Sequence, residues 1–452
     1  MSELNRVDLV VVGGGITGLS AAYLAARKGL KVRVIEAGDS FGGLLSTFPI
    51  GGNRLEFYYH HFFTHDLELH FLIKDLGIDH HLFYKKTSMG VFKNGKIYSF
   101  NSPVDLLRFT PIRFIDKIRF ALTSVFLGKF ANWRKFEHVS CSAWFEKWAG
   151  KSTTDALWTP LLKIKFGPFA QKVPLAWMIG RLRQRMNSRK NGDEKLGYLE
   201  GSLQVLLDAL LEKLKAMDVE LVNNSAAEKI NFTQGKIESL YAGGKDHRAE
   251  NFLFTIPGIY LSDLVKSDFP EFGRQLSEIK YFGAICVILE MNRPLSNIYW
   301  LNVADHDFDF GGIIEHTNFI DKSNYNGSHI AYLSRYFAME EKIAKMDKEE
   351  IKTMMISQLG KIYPGFSNEW IKQVHVFRTN TAATVCDLQF SEKVPRCKTE
   401  VSNMYLANMA HVYPDERSTN NSIKIAMEAL KLMNIDAYRT EKTNSLSAQI
   451  GF

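Results

Sequence analysis

Three groups of residues have types and spacings that can do chemistry. Gly13, Gly15 and Gly18 form a G-x-G-x-x-G series, and Glu36 stands about 20 residues beyond it. Such glycines let the chain turn tightly, let its backbone approach a phosphate, and let the following helix pack close on a strand. The phosphate then meets the free N–H groups and positive dipole end of that helix, with Ile16 and Thr17 in its first turn. Glu36 and the adjoining Ala37 sit where an acidic side chain accepts a bond from a ribose 2′-hydroxyl, so adenosine without a 2′-phosphate is expected. The second group is His60, His61 and His65, in a segment (residues 51–66) that is polar and aromatic together. An ordinary histidine exchanges protons near neutral pH, which makes His60 and His61 acid–base candidates; the alternative is an aromatic loop without chemistry. The three histidines lack a facing ligand group, so no metal is expected. The third group lies in residues 161–190, which carry eight basic residues and no acidic one. Arg181, Arg185 and Arg189 recur at i, i+4 and i+8, so they share a helix face suited to an anionic group. No nucleic-acid module accompanies this charge, and nucleic acid is not an expected partner.

The elements that must position these groups follow from pattern. Residues 9–12 are an apolar, β-branched run of the kind that makes a buried parallel strand. A helix from about Thr17 to Lys28 ends at Gly29, and residues 31–35 read as a second strand. With 32 glycines in the chain, a lone glycine series is weak evidence. The strand–turn–helix–strand context is what gives it force. A second glycine pair, Gly42-Gly43, followed by Leu44 and Ser46, lets another backbone loop approach the same ligand. Further on, Ile115, Ile118, Leu122 and Val125 have helical spacing, with Arg108, Arg113, Lys117, Arg119 and Lys129 around them. Such a helix either lies on an acidic membrane surface or packs on its own domain with a solvated basic face, and the packed arrangement is the default expectation.

The remainder alternates in type. A periodic helix opens at Gly197, followed by a strand at residues 219–222, a hairpin at 229–241 around Gln234-Gly235, and a strand at 249–257 ending in Thr-x-Pro. Residues 282–291, 311–315 and 330–335 suggest a second sheet, and 348–359 a helix. A last strand ends at Ala407-Asn408, after which Thr419 or Asn420 can cap a helix running to Met433.

This order, with the glycine series, the Gly42-Gly43 pair, the Gly201-Ser202 helix start and the segment from Ala407 to Ala426, resembles the FAD-binding superfamily of amine oxidases, protoporphyrinogen oxidases and phytoene desaturases. UDP-galactopyranose mutase is related to it and has a similar His-Phe-His-Thr run. The resemblance implies bound FAD. Gly13, Gly15, Gly18 and Glu36 would hold its ADP half, Gly42, Gly43 and Ser46 its diphosphate and ribityl region, and Asn408, Asn421 and Ser422 its flavin end. His60, His61 and Tyr413 would lie near the ring, and Arg181, Arg185 or Arg417 would hold an anionic substrate. Two positions depart from the family: Leu44 stands where Arg or Lys is usual, and Ala407-Asn408 replaces Gly-Asp.

The fold class expected is α/β: a Rossmann-like FAD domain with a parallel sheet, discontinuous over residues 1–75, 197–260 and 372–438, joined to an α+β substrate domain. The latter would comprise a helical, basic part (76–196) and a mixed-sheet part (261–371), with a polar tail at 439–452. A second glycine fingerprint is absent, which argues against a two-nucleotide reductase. The net charge of +7 admits anionic partners. Four cysteines without metal-ligand spacing, no signal-like start and no long apolar run favour a reduced, cytoplasmic setting, with peripheral membrane contact as an option. The function implied is an FAD-dependent oxidoreductase moving hydride between flavin N5 and a small-molecule or lipid-linked anionic substrate. The alternatives are a redox-neutral, mutase-like sugar-nucleotide enzyme working with reduced FAD, and a non-enzymatic binding protein like Rab GDP-dissociation inhibitors.

Overall fold

The structure is a computed structural model, and it describes residues 6–190, 193–305 and 307–436. The polar tail expected at 439–452 and the side chain of Arg189 lie outside what is described.

Strand β1 (Arg6–Val12) is buried on both faces, as its run of Leu and Val requires. Helix α1 (Ile16–Ala26) follows, then strand β2 (Val32–Ile35). Parallel pairing sets Leu9 against Val32 and Val12 against Ile35. The sheet extends in parallel from β2 to Glu220–Val222, and from β1 to Lys245–Phe254 and onward to Met404–Leu406. The hairpin of Ala227–Thr233 and Lys236–Ala242 is antiparallel to the start of Lys245–Phe254. Nearly every residue of α1 is buried, because Gln204–Ala216 and Thr419–Leu432 pack over it. Its small residues Ala21, Ala22 and Ala25 let those backbones come close.

A second sheet runs in the order Ile371–Thr384, Tyr281–Met291, His329–Phe337, Gly312–Glu315, Trp300–Val303, Met89–Lys93, Lys96–Ser99. Two segments thus belong elsewhere than the sequence placed them. The 89–99 hairpin joins this sheet through parallel pairing with Trp300–Val303, and residues 371–384 form its edge rather than a path back to the nucleotide domain. Pairing partners far along the chain decide both, and local pattern does not report them. Likewise Asp193–Leu199 is a strand paired with Leu82–Lys86, so the helix expected from Gly197 begins only at Gln204.

A helical layer packs on the second sheet through an aromatic core that joins Phe145, Trp158 and Phe166 to Phe282 of the strand Tyr281–Met291. It contains α2 (Phe114–Lys129) and α3 (Leu175–Asn187), which pack on each other. The packed orientation expected for α2 is reversed. Asp116, Lys117 and Leu127 are its buried residues, whereas Ile115, Ile118, Leu122 and Val125 are all exposed. Asp116 is satisfied by the Ser152 hydroxyl at 2.6 Å and by Arg119 at 3.2 Å, and the Lys117 ammonium donates to the Leu107 carbonyl at 2.6 Å. Polar groups on an inner face are tolerated because each has a partner. All four cysteines are free thiols. No described helix is long and apolar enough to cross a membrane.

Candidate functional site: a glycine cradle opening into an aromatic and cationic cavity

A cavity of about 680 Å³ runs along the carboxyl ends of β1 and β2 and between the nucleotide sheet and the second sheet. Gly13, Gly15, Ile16, Thr17, Glu36, Ala37, Gly42, Gly43 and Leu44, the cofactor-binding residues expected from the sequence, line it. The cradle is held by its own backbone. The Gly42 N–H donates to the Gly14 carbonyl at 2.8 Å, and a Cβ on Gly43 would come within 3.2 Å of the Gly15 Cα. Gly13, Gly42 and Gly43 all have positive φ, at 111°, 126° and 58°. The Glu36 carboxylate accepts from the Gly14 N–H at 2.6 Å and the Gly38 N–H at 2.7 Å, which fixes the loop around it. Two acceptor sites remain on a carboxylate so engaged, enough for a ribose hydroxyl.

The cradle fits a dinucleotide. A Cβ at Gly15 would meet no protein atom within 4 Å, so the space before it is free for a ligand. Helix α1 has no side-chain cap and no acidic residue in its first turn, leaving its N–H groups for a diphosphate.

Several expected residues do other work. Gly18 does not face the cavity: a Cβ there would lie 2.0 Å from the Gly13 carbonyl oxygen, so its role is to let α1 close on the turn. Ser46 also stays outside, its N–H bonded to the Gly43 carbonyl at 3.1 Å. Asn408 is a cap. Its amide accepts from the Ala410 N–H at 3.1 Å and donates to the Ile256 carbonyl at 2.9 Å, closing the turn after the last strand. Asn421 donates to the Glu416 carbonyl at 2.7 Å and so positions that residue. Tyr413 does not line this cavity: its ring packs against Trp133 and Phe390 at 5.7 and 5.2 Å, and it borders an adjoining pocket that shares Lys165, Glu416 and Arg417. The aromatic core of the helical layer claims it. Ser422 does line the cavity, but its helix is capped by Ser418, which accepts from the Asn421 N–H at 3.1 Å, rather than by Thr419 or Asn420.

Tyr58, Tyr59, His60 and His61 line the cavity beyond the cradle, joined from the second sheet by Trp300 and Tyr336. The Tyr59 and His61 rings meet the Trp300 ring edge-on at 5.0 and 5.6 Å. His60 Nδ1 lies 2.5 Å from the Tyr58 carbonyl, and burial pushes its pKa down to about 4. It is therefore neutral at pH 7, donating from Nδ1 and presenting Nε2 as an acceptor. His65 does not reach the cavity, and stacks on Phe63 at 5.6 Å. Among the described residues no cluster suited to a metal ion occurs.

Arg181, Arg185 and Arg417 all line the same cavity, and with them Lys165 and Glu416. Glu416 is the hub: the Lys165 ammonium lies 2.6 Å from its carboxylate, and Arg181 binds the same oxygen. Burial would raise the Glu416 carboxyl, but Arg181 and Lys165 hold it well below the usual carboxylate range. Burial, followed by repulsion from Arg181, brings Lys165 down to about 7 in spite of Glu416. Arg417 donates to the Tyr336 hydroxyl at 2.8 Å and covers that ring. Lys165 and Glu416 were not singled out by sequence, although Lys165 belongs to the acid-free run. Trp300 carries no local signal, since a strand pairing distant in sequence delivers it.

A profile described as flavin containing amine oxidoreductase matches residues 16–411. Human amine oxidase (flavin-containing) B is 26% identical over 236 residues, which cover 47% of this chain and 44% of that enzyme, so the match spans less than half of its length. Among solved structures, a candidate protoporphyrinogen oxidase from Exiguobacterium sp. 255-15 superposes with a TM-score of 0.76 at 18% identity, covering 96% of this chain and all of that one. Reduced UDP-galactopyranose mutase superposes with a TM-score of 0.74 at 15% identity, covering 99% of each chain. Likenesses this low in identity establish the fold. The profile match, which takes in most of the chain, and the dinucleotide cradle agree: the chain belongs to the flavin containing amine oxidoreductase family, whose cofactor is FAD.

Proposed function

We propose that this protein is an FAD-dependent oxidoreductase acting on an amphipathic anion, such as a polyprenyl phosphate, a lipid-linked sugar or a carboxylated tetrapyrrole. One observation carries the substrate class: beyond the cradle with its Glu36, five basic side chains, Lys165, Arg181, Arg185, Arg335 and Arg417, face one carboxylate, Glu416, in a cavity that Tyr58, Tyr59, Trp300 and Tyr336 also line. A charge-rich, partly dry site of this kind favours an anion with an apolar body. FAD, held by Gly13, Gly15, Ile16, Thr17, Glu36, Gly42 and Gly43, supplies a two-electron acceptor for hydride. The chain's own residues do the remainder. The guanidinium groups orient the anion, Tyr59 and Trp300 exclude water, and neutral His60 offers an acceptor for a substrate hydroxyl or amine proton.

The cationic cluster would equally suit the diphosphate of a sugar nucleotide, which keeps a redox-neutral, mutase-like reading as the second. Anaerobic mixing separates them. Bleaching of the oxidised flavin bands by a prenyl phosphate or carboxylated tetrapyrrole supports the oxidoreductase. Turnover of a sugar nucleotide only after chemical reduction, with the flavin left reduced, supports the mutase. A colourless protein that takes up no FAD would overturn both and leave a non-enzymatic binding protein.

A further inference from the structure

The reversed orientation of α2 leaves an apolar surface that none of the other described residues covers. Phe114, Ile115 and Leu122 are 68%, 60% and 67% exposed, and Ile118, Val125 and Phe126 continue the stripe. Val104 and Leu107 on the preceding helix Pro103–Arg108, Phe130 after α2, and Trp148 are exposed as well. These are residues that a helix normally turns inward. The inner face is occupied by the satisfied pair Asp116 and Lys117, and Gly150 approaches Asp116 so closely that a Cβ would lie 2.0 Å from its oxygen. The helix is thus locked with its apolar side out.

We infer that this face docks the protein on an anionic lipid bilayer. Charge selects the occupant. Arg108, Arg113, Lys129, Arg134 and Lys135 are exposed around the apolar stripe, whereas the only acidic residues in 103–136 are Asp105, which caps its own helix, and the buried Asp116. An apolar stripe flanked by lysine and arginine matches an acyl boundary flanked by acidic headgroups. A symmetric pairing with a second copy would bring two such basic rims together, which opposes it. The location suits the cavity too. Gly128 of α2 packs on Met186 of α3, whose Arg181 and Arg185 line the site, so the docking helix lies one layer from the anion-binding wall. The surface stands whether or not the proposed reaction is correct.

Flotation of the whole protein with vesicles tests this. Binding is expected to vesicles of phosphatidylcholine mixed with phosphatidylserine, to weaken in high salt, and to be much weaker to phosphatidylcholine alone. The double variant Phe114→Ser, Leu122→Asp should bind roughly tenfold more weakly while keeping its melting temperature and FAD content, because both side chains are exposed. Replacing Arg113 and Lys129 with Gln should weaken binding and flatten its salt dependence. No binding to acidic vesicles, or binding that the first variant leaves unchanged, would overturn the assignment. So would a dimer in analytical ultracentrifugation that Leu122→Asp dissociates, which would give the surface to a second copy.

Discussion

Gly43 sits against Gly15 so closely that a Cβ on Gly43 would come within 3.2 Å of the Gly15 Cα, while a Cβ on Gly15 would point into open space. The two glycine loops therefore form one cradle, with room on the Gly15 side only. Gly15→Ala should fold normally, since its φ of −75° suits any residue, yet lose FAD by at least roughly tenfold because the added methyl fills ligand space. Gly18→Ala should behave differently. Its Cβ would press on the Gly13 carbonyl oxygen, so a loss of about 1–3 kcal/mol of stability is expected along with FAD. Flavin absorbance per protein and thermal melting of both variants check this, and equal melting losses would contradict it.

The contrast between Gly15 and Gly18 marks how far the site is legible in the sequence. Gly13, Gly15, Glu36 and Gly42-Gly43 announce themselves because turn, strand and helix signals are local and backbone-dictated. His60, His61, Arg181 and Arg185 were reachable by type and spacing, and Arg417 through the family resemblance. Tyr413 and Asn408 misled because a side chain's direction depends on which core claims it, and neighbours in sequence do not record that. The exposed stripe of α2 is the same lesson inverted: its periodicity was legible, but which side faces the protein was decided by Ser152, Gly150 and the Leu107 carbonyl.

Lys165, brought down to about 7, should make anion binding depend on pH near neutrality. Below that value it is a cation beside Arg181, and above it the charge is lost. Affinity for an anionic ligand should therefore fall as pH rises through about 7. Lys165→Arg should remove this dependence, because a guanidinium keeps its proton throughout, whereas Lys165→Met should bind weakly at every pH. Flavin-perturbation titrations across pH check it. Stability runs the other way: an unfolded lysine holds its proton to about 10.4, so this group's contribution to folding rises with pH between the two values.

Tyr198 donates to both carboxylate oxygens of buried Glu56, at 2.8 and 2.6 Å, and the Leu203 N–H adds a bond at 2.7 Å. Tyr332 of the second sheet donates to the Glu56 carbonyl at 2.8 Å, so one residue ties the hairpin after the cradle to both neighbouring layers. Tyr198→Phe should cost about 1–3 kcal/mol, because it strands a buried acceptor. FAD content should be unaffected, since neither residue lines the cofactor cavity. Denaturant unfolding followed by flavin absorbance distinguishes this from a role in cofactor binding.

Burial of His60 couples folding to pH, with a sign opposite to that of other buried groups. Its pKa falls from 6.5 to about 4 on folding, so between these values the unfolded chain binds the extra proton. The stability it confers is present above 6.5 and is lost as pH drops through that window. Asp66 and Glu315, each raised to about 7 by burial, act with opposite sign: their neutral forms favour the folded state at low pH, and that benefit fades as pH rises toward 7. The pH profile of the intact protein therefore mixes both. The difference between wild type and His60→Gln does not, since the carboxyl contributions cancel. That difference should move against the wild type by up to about 1.4 kcal/mol per pH unit between 6.5 and 4, and be flat above 6.5. A flat difference throughout would mean that His60 is charged or solvated in the folded protein, and its role as a neutral acceptor in the cavity would fall with it.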